Sequence, residues 1–126
     1  MSVLGIGVDV VHVPRIAALL RRYPRRLASR ILSLEEASES CLLADPKYIA
    51  VRWAVKEAAY KAFYPHHQPT WKELTYHGLK NGRKPTLIYN SPRPEDSKNL
   101  DIHVSVSHDG EYVFASVLVQ TAYERR

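Results

Sequence analysis

The chain has 126 residues, of which 45% are hydrophobic, and its formal net charge is +5. This length suits one domain around one core, so we treat residues 1–126 as a single domain. A single cysteine excludes an internal disulfide, and no apolar run approaches the length of a membrane span. The basic balance indicates an anionic partner, which could be nucleic acid, a phosphorylated ligand or an acidic protein.

The N-terminal third bears on the compartment. Residues 1–14 contain Asp9 and no basic region, so they do not resemble a secretory signal. From Val10 to Leu34 there are six arginines and no acidic residue, a pattern that an import machinery or a docking partner could read. We expect a soluble intracellular protein and favour a mitochondrial matrix over a bacterial cytoplasm.

Residues 3–12 alternate in polarity and predict a strand with one apolar face. The other face carries Gly5, Gly7 and Asp9, and glycines inside a strand often mark the close approach of another element. They would leave space beside Asp9. The apolar face comprises Leu4, Ile6, Val8 and Val10.

Two helices are expected next. Pro14 suits the first turn of a helix, which Pro24 would interrupt. Ser33 and Glu36 have the spacing of a capping box, so a second helix should run to about Leu43.

The longest predicted helix begins at Asp45-Pro46, where a capping residue precedes a proline. Tyr64-Pro65 should end it, because the residue before a proline disfavours helical geometry. Its expected buried stripe comprises Val51, Val55, Ala58, Ala59 and Ala62.

The second half of the sequence predicts two hairpins. The first turns at Asn81-Gly82, and the second is expected to turn at Asp109-Gly110. A polar connector separates them, and the final TAYERR is expected to fray. The predicted class is therefore α+β, with a largely antiparallel sheet packed with one long helix and shorter helices.

Glu57 and Lys61 lie one turn apart on the long helix, and this spacing has two interpretations. They could form a surface ion pair worth a few tenths of a kcal/mol. Combined with Asp9, they could instead form a site for a pyrophosphate-bearing substrate. Magnesium takes one or two carboxylates and fills its shell with water and phosphate oxygens, and a nearby lysine would neutralise the leaving phosphate. The sequence does not show whether Asp9 and Glu57 meet.

Two further features carry candidate chemistry. His108 precedes the second hairpin turn, where it could be structural or could donate to a phosphate. Ser105 and Ser107 lie near histidines, but the sequence has no nucleophile elbow and no zinc spacing. An arginine group could be a solvated basic surface or a docking face for an acidic protein or a nucleic-acid backbone. It comprises Arg15, Arg21, Arg22, Arg25, Arg26 and Arg30.

Three motifs together resemble a known family. "GIGVDVVHVPRI", "RWAVKEAAYKAF" and "HVSVSHDGEYVFA" occur in this order, with "NGRKPTL" between the second and third. The set is similar to the holo-acyl-carrier-protein synthases, the short single-domain 4′-phosphopantetheinyl transferases. The resemblance spans essentially the whole chain. It implies transfer of 4′-phosphopantetheine from coenzyme A to a serine of an acyl carrier protein, with release of adenosine 3′,5′-bisphosphate, in support of fatty acid biosynthesis.

The resemblance also implies roles for individual residues. Asp9 and Glu57 match the family's magnesium ligands and, with Lys61, its catalytic residues. The family forms homotrimers with sites at the subunit interfaces. The residues implied to bind coenzyme A are Arg52, Tyr60, Lys61, Arg83, Pro85 and His108. Those implied to bind the acidic carrier protein are Arg15, Leu19, Arg22 and Arg26.

The chain departs from the family after the long helix. Where bacterial members usually have a glycine-containing loop near the pyrophosphate, residues 64–70 contain two prolines and no glycine. His66 or His67 could substitute for the missing backbone donors. Two alternatives stay open: a basic RNA-binding module without catalysis, and a coenzyme A-binding relative that has lost transfer.

Overall fold

The computed structural model describes residues 2–122. Of the six C-terminal residues expected to fray, Thr121 and Ala122 are instead hydrogen-bonded to Ser2 and Asn99, and residues 123–126 lie outside the described part. The described strands are β1 (Val3–His12), β2 (Leu74–His77), β3 (Thr86–Tyr89), β4 (Leu100–Asp109) and β5 (Tyr112–Thr121). The α-helices are α1 (Val13–Arg22), α2 (Arg26–Ile31), α3 (Leu34–Ala37), α4 (Pro46–Phe63) and α5 (Pro94–Ser97). Short 3-10 turns occupy Ser40–Leu42 and Trp71–Glu73. This architecture confirms the predicted α+β class with antiparallel pairing.

The strands form two antiparallel sheets, one with the order β1-β5-β4 and one that pairs β2 with β3. Helix α4 packs across the first sheet and approaches β1 through its glycines. A Cβ atom at Gly7 would lie 1.9 Å from the carbonyl oxygen of Ala58, and one at Gly5 would lie 2.1 Å from that of Ala62. Glycine is therefore required at both positions, because the helix backbone occupies the place of a side chain.

From Ile6 onwards the apolar face of β1 points away from α4 and is exposed, whereas Leu4 is partly buried against the core. Ile6 is 63% exposed and Val10 59%, and Val10 pairs with Phe114 of β5, which is 44% exposed. The buried face of the sheet instead uses Val11 of β1 and the alternate residues of β5. We call the exposed apolar set the outer sheet face; it comprises Ile6, Val8, Val10, Tyr112 and Phe114.

The early helices differ from the prediction in length and number. Helix α1 starts at the proline as expected, and Ile16 and Leu20 face the core. The capping box forms at Ser33, but α3 ends at Ala37 and not near Leu43. The Ser38 hydroxyl donates to the Glu35 carbonyl oxygen at 2.6 Å, a local bond that competes with further helix. Helix α2 was not predicted.

The second half agrees more closely with the sequence. The Asp45 carboxylate caps α4 by accepting from the Lys47 amide at 3.0 Å, and the helix ends before Tyr64-Pro65 as predicted. Val51 is only half-buried, unlike the rest of its predicted stripe. The second hairpin turns one residue later than expected, because Asp109 pairs with Tyr112 and leaves residues 110 and 111 as the loop.

The first hairpin turns at Asn81-Gly82 as predicted, with both residues at positive φ. The polar connector contains the short helix α5. Within residues 2–122, no helix combines the length and apolarity needed to cross a membrane.

Candidate active site

The centre of the candidate site lies where α4 crosses β1. Trp53, Glu57 and Lys61 follow one another at four-residue intervals and so share one face of α4. The Lys61 ammonium donates to the carbonyl oxygen of Val8 at 2.9 Å and lies 3.5 Å from Oδ1 of Asp9. The lysine therefore contacts the strand, and its ion pair is with Asp9 instead of Glu57.

Asp9 and Glu57 lie close enough to influence each other electrostatically. Burial raises the pKa of Asp9, and the Lys61 ammonium opposes that shift. Burial also raises the pKa of Glu57, and the neighbouring Asp9 carboxylate raises it further. We call these two residues the acidic pair. Both carboxylates are half-buried, and of the two only Asp9 forms an ion pair with Lys61 within residues 2–122.

Arg15 lies beside the acidic pair, at the start of α1. Its guanidinium carbon is 5.3 Å from the centre of the Trp53 ring, and its charge lowers the pKa of both carboxyl groups. The Trp53 ring is in turn held edge-on against Trp71, at 5.3 Å. The sequence reasoning missed Trp53, although its place one turn before Glu57 on the same helix face was a usable signal.

The acidic pair has the donor chemistry that a hard divalent cation requires. No third histidine, cysteine, aspartate or glutamate joins it in the part of the chain that the structure describes. Magnesium accepts one or two carboxylates and completes its shell with water and phosphate oxygens. Asp9 and Glu57 would hold such an ion, and its charge would relieve their mutual repulsion.

Arg52 lies on the other side of α4. Nine residues separate it from Lys61, which corresponds to a rotation of roughly 180° at 3.6 residues per turn. Its guanidinium carbon lies 3.7 Å from the centre of the Tyr48 ring. It lines a cleft of about 520 Å³ that His77 and Lys80 also line. The structure therefore separates Arg52 from the acidic pair of the same chain.

The remaining residues implied to bind coenzyme A lie in different places. Tyr60 is exposed beside Lys61 and stacks on Tyr64, with ring centres 6.0 Å apart. Arg83 and Pro85 line a cleft of about 500 Å³ against the edge of β4. His108 lines a third cleft, of about 410 Å³, near the N-termini of α1 and α4. Of this group, Lys61 is the residue with a side-chain contact to the acidic pair within residues 2–122.

The implied carrier-docking residues lie on α1 and α2. Arg15, Arg22 and Arg26 are exposed, and Leu19 is half-buried. The Arg22 guanidinium carbon is 5.3 Å from the ring centre of Tyr23. Neither helix contains an acidic residue, and Arg15, at the start of α1, lies next to the acidic pair.

Of the two histidines in the loop after α4, His66 is exposed and His67 packs inward. The His67 ring packs against Phe63 and Tyr89, with ring centres 6.0 Å and 6.3 Å apart. Phe63 is two residues from Lys61, a rotation of roughly 200°, and so faces away from it. His67 thus lies on the side of α4 opposite the acidic pair.

Comparison with known proteins gives a consistent result. Residues 5–117 match the profile of the 4′-phosphopantetheinyl transferase superfamily. A holo-[acyl-carrier-protein] synthase from Buchnera aphidicola is 35% identical over 126 residues, which cover 95% of this chain and 99% of the relative.

Two solved structures support the same relationship. The holo-[acyl-carrier-protein] synthase of Neisseria meningitidis has a TM-score of 0.80 and 28% identity, and the match covers 95% of this chain and all of that one (100%). A Chronobacterium ammoniagenes synthase–coenzyme A complex has a TM-score of 0.76 and 26% identity, and the match covers 98% and 100% of the two chains.

Proposed function

We propose a reaction for this chain from its family, since it belongs to the 4′-phosphopantetheinyl transferase superfamily as a holo-acyl-carrier-protein synthase. It transfers 4′-phosphopantetheine from coenzyme A to a serine of an apo acyl carrier protein. The other product is adenosine 3′,5′-bisphosphate, and the modified carrier serves fatty acid biosynthesis. The observation that carries this proposal is the meeting of Asp9, Glu57 and Lys61 at the crossing of β1 and α4. The whole chain acts as one transferase domain.

The acidic pair would hold magnesium. The ion would supply charge neutralisation at the pyrophosphate of coenzyme A. A carboxylate of the pair, directly or through a water that it orients, takes the proton of the carrier serine. The serine oxygen bonds to the β-phosphorus, the bridging P–O bond breaks, and the bisphosphate leaves. Lys61, about half exposed, is free to turn from Asp9 towards the charge that develops on the leaving oxygen.

The second substrate is acidic and would meet the positive surface of α1 and α2. Arg15 and Arg22 are seven residues apart and share one face of α1, Arg22 and Arg26 are exposed, and Arg15 lies next to the acidic pair. Charge complementarity at such a surface sets the encounter rate and the orientation of a partner. A carrier docked there would bring its serine near Asp9 and Glu57.

The residues implied to bind coenzyme A do not lie together at one place in a single chain. This separation supports a homotrimer with sites between subunits. Arg52 and Lys61 face opposite sides of α4, so a single nucleotide cannot contact both within one chain. The outer sheet face offers a surface for assembly, since exposed apolar side chains in one contiguous patch mark interaction sites. The site would then combine Lys61 of one subunit with Arg52 of the next.

The location stays a sequence-based prediction. The relative from Buchnera aphidicola and the Neisseria meningitidis structure come from bacteria, so they lend no support to the mitochondrial matrix. An RNA-binding module without catalysis also finds no support among these relatives.

A labelling assay tests the proposed function. The chain is incubated with coenzyme A, magnesium and an apo acyl carrier protein, and the carrier is weighed by mass spectrometry. The expected result is one phosphopantetheine mass increment on the carrier, removed when its serine is replaced by alanine. Tight binding of coenzyme A without any increment would identify a relative that has lost transfer.

A further inference from the structure

Lys56, the neighbour of Glu57 in the sequence, belongs to a buried network that the proposed mechanism does not use. Its side chain is fully buried. Its ammonium donates to the carbonyl oxygens of Ile31, at 2.6 Å, and Trp71, at 2.9 Å, and to Oε1 of Glu36, at 2.5 Å. A buried charge persists only when it is paired and fully hydrogen-bonded, and this one is.

Glu36 is the other half of the network, and both of its carboxylate oxygens are used. Oε1 accepts from the Ser33 amide at 2.9 Å as well as from Lys56, and Oε2 accepts from the Tyr76 amide at 2.9 Å. Oε2 also lies 3.8 Å from Nε of Arg52. This one carboxylate therefore joins α3, α4 and β2 and faces the guanidinium of Arg52.

Arg52 is held by rings and by charge more than by hydrogen bonds. Its guanidinium carbon is 3.7 Å from the centre of the Tyr48 ring and 5.2 Å from that of Tyr76. Within residues 2–122, its only hydrogen bond is a long one, 3.5 Å, from Nη1 to the Tyr48 carbonyl oxygen, and its buried Nε has none. The side chain is 14% exposed, so its position is fixed. Its guanidinium N–H groups are still able to donate further hydrogen bonds.

The cleft beside Arg52 has the chemistry of a phosphate site. His77 and Lys80 line it together with Arg52, and its volume of about 520 Å³ admits part of a nucleotide. Three acidic residues line it: Glu36 is paired with Lys56, Glu35 lies 3.4 Å from His77, and Glu39 is exposed to solvent. Arginine binds phosphate well when its planar fork is pre-oriented.

We propose that Glu36 and Lys56 are positioning residues that hold the Arg52 guanidinium towards this cleft, where it binds a phosphate group of coenzyme A. This inference rests on the proposed function. Glu36 acts through Arg52 and does not touch the nucleotide, and Lys56 keeps Glu36 in place. Removing the Glu36–Lys56 ion pair should weaken coenzyme A binding and leave the chemistry at the acidic pair unchanged.

The test combines steady-state kinetics with a mutant cycle. Glu36→Gln and Lys56→Met are made together, because neutralising both partners of a buried pair is tolerated while losing one leaves a bare charge. The double variant is expected to raise the KM for coenzyme A about tenfold and to change kcat less than about twofold. In an Arg52→Ala background the same two changes should not raise the KM for coenzyme A any further, because they act through the guanidinium that is then absent. Lys72→Met, at an exposed lysine, is the control.

A second route avoids the buried pair if the double variant does not fold. Tyr48→Leu removes the ring beneath the guanidinium and should give the same rise in KM, again absent in the Arg52→Ala background. Calorimetric titration with adenosine 3′,5′-bisphosphate measures the same loss without catalysis. The inference would be overturned if these changes raised the KM further in the Arg52→Ala background, or if folded variants kept the wild-type KM. Either result would leave the proposed function standing. A wild-type chain that neither transfers nor binds the nucleotide would overturn the proposed function as well.

Discussion

The Lys61 ammonium lies 3.5 Å from Oδ1 of Asp9, across the crossing of α4 and β1, and Glu57, one turn earlier on the helix, is left without that ion-pair partner. The acidic pair thus has one carboxylate that is ion-paired and one whose pKa is raised by burial and by its neighbour. This asymmetry leads directly to the first two predictions.

Neutralising the acidic pair should remove activity without unfolding the chain. Asp9→Asn and Glu57→Gln keep the shape of each side chain but lose the charge that would hold magnesium. We expect each to lower kcat/KM for carrier labelling at least about 100-fold, the size of effect seen when a transition-state charge interaction is lost. Asp101→Asn, at an exposed position on β4, is the matched control. Full activity in both variants would reject the ligand assignment.

The acidic pair should also make the metal-free chain less stable as pH rises. Both carboxyl groups have a raised pKa, so the folded state binds protons more tightly than the unfolded state does. Stability is then lost as pH rises from the ordinary carboxyl range, about 4, through the raised values. Thermal melts with chelator present should show this loss, reduced in Asp9→Asn and reversed by magnesium only in the wild type. A wild-type melting temperature that does not respond to magnesium at neutral pH would contradict it.

Adding one methyl group at Gly7 should destabilise the protein. The new Cβ would lie 1.9 Å from the Ala58 carbonyl oxygen, so α4 must move away from β1. Overpacking of this kind costs about 1–3 kcal/mol, which should appear in the free energy of unfolding by denaturant titration. The displacement should also separate Asp9 from Glu57 and lower activity.

Gly78→Ala provides the comparison, because a Cβ there would only touch the Tyr76 ring at 3.7 Å. Equal stability of the two alanine variants would show that α4 does not sit against β1 as described.

Reversing charge on the arginine helices should affect only the carrier substrate. Arg22→Glu with Arg26→Glu is expected to raise the KM for the acyl carrier protein at least about tenfold, because like charges then face each other. The KM for coenzyme A should stay within about twofold of the wild-type value. Lys98→Glu, a charge reversal at a distant exposed position, serves as control. The wild-type KM for the carrier should increase with salt, since exposed charges are screened.

Placing charge on the outer sheet face should disrupt assembly. Ile6→Asp and Phe114→Asp put carboxylates on a surface that is apolar and exposed in the single chain. Sedimentation velocity should show a trimer for the wild type and a monomer for these variants, with loss of activity if sites lie between subunits. Ile88→Asp changes an equally exposed apolar residue on β3 of the other sheet. A wild-type monomer with full activity would contradict the trimer.

Local sequence signals were sufficient to predict the elements whose ends are set by capping residues, prolines and turn residues. The Asp45 cap and Tyr64-Pro65 set both ends of α4, and the Asn81-Gly82 turn set a hairpin. The extent of α3 could not be found in this way. The local bond from Ser38 to Glu35 competes with further helix, and the Glu36 side chain is also held by Lys56 and Tyr76, which are 20 and 40 residues away in the sequence.

The site was predictable in its chemistry and not in its arrangement. Alternation along β1 separates two faces, but it does not say which one meets α4; the glycines decide that by admitting the helix backbone. The burial of Lys56 had no signal either, because a lysine in a helix is ordinarily exposed and its partner, Glu36, is distant in sequence. The opposite orientation of Arg52 and Lys61, by contrast, had a usable signal, because nine residues along a helix correspond to a rotation of roughly 180°.

The contact of Gly5 and Gly7 with the backbone of α4 has a consequence for engineering. Main-chain atoms set the gap between strand and helix at these glycines, so no side-chain repacking there can widen or narrow it. Altering which cation the protein accepts would thus require exchanging the ligand side chains themselves, Asp9 for a longer acid or Glu57 for a shorter one, while the scaffold beneath them is left untouched.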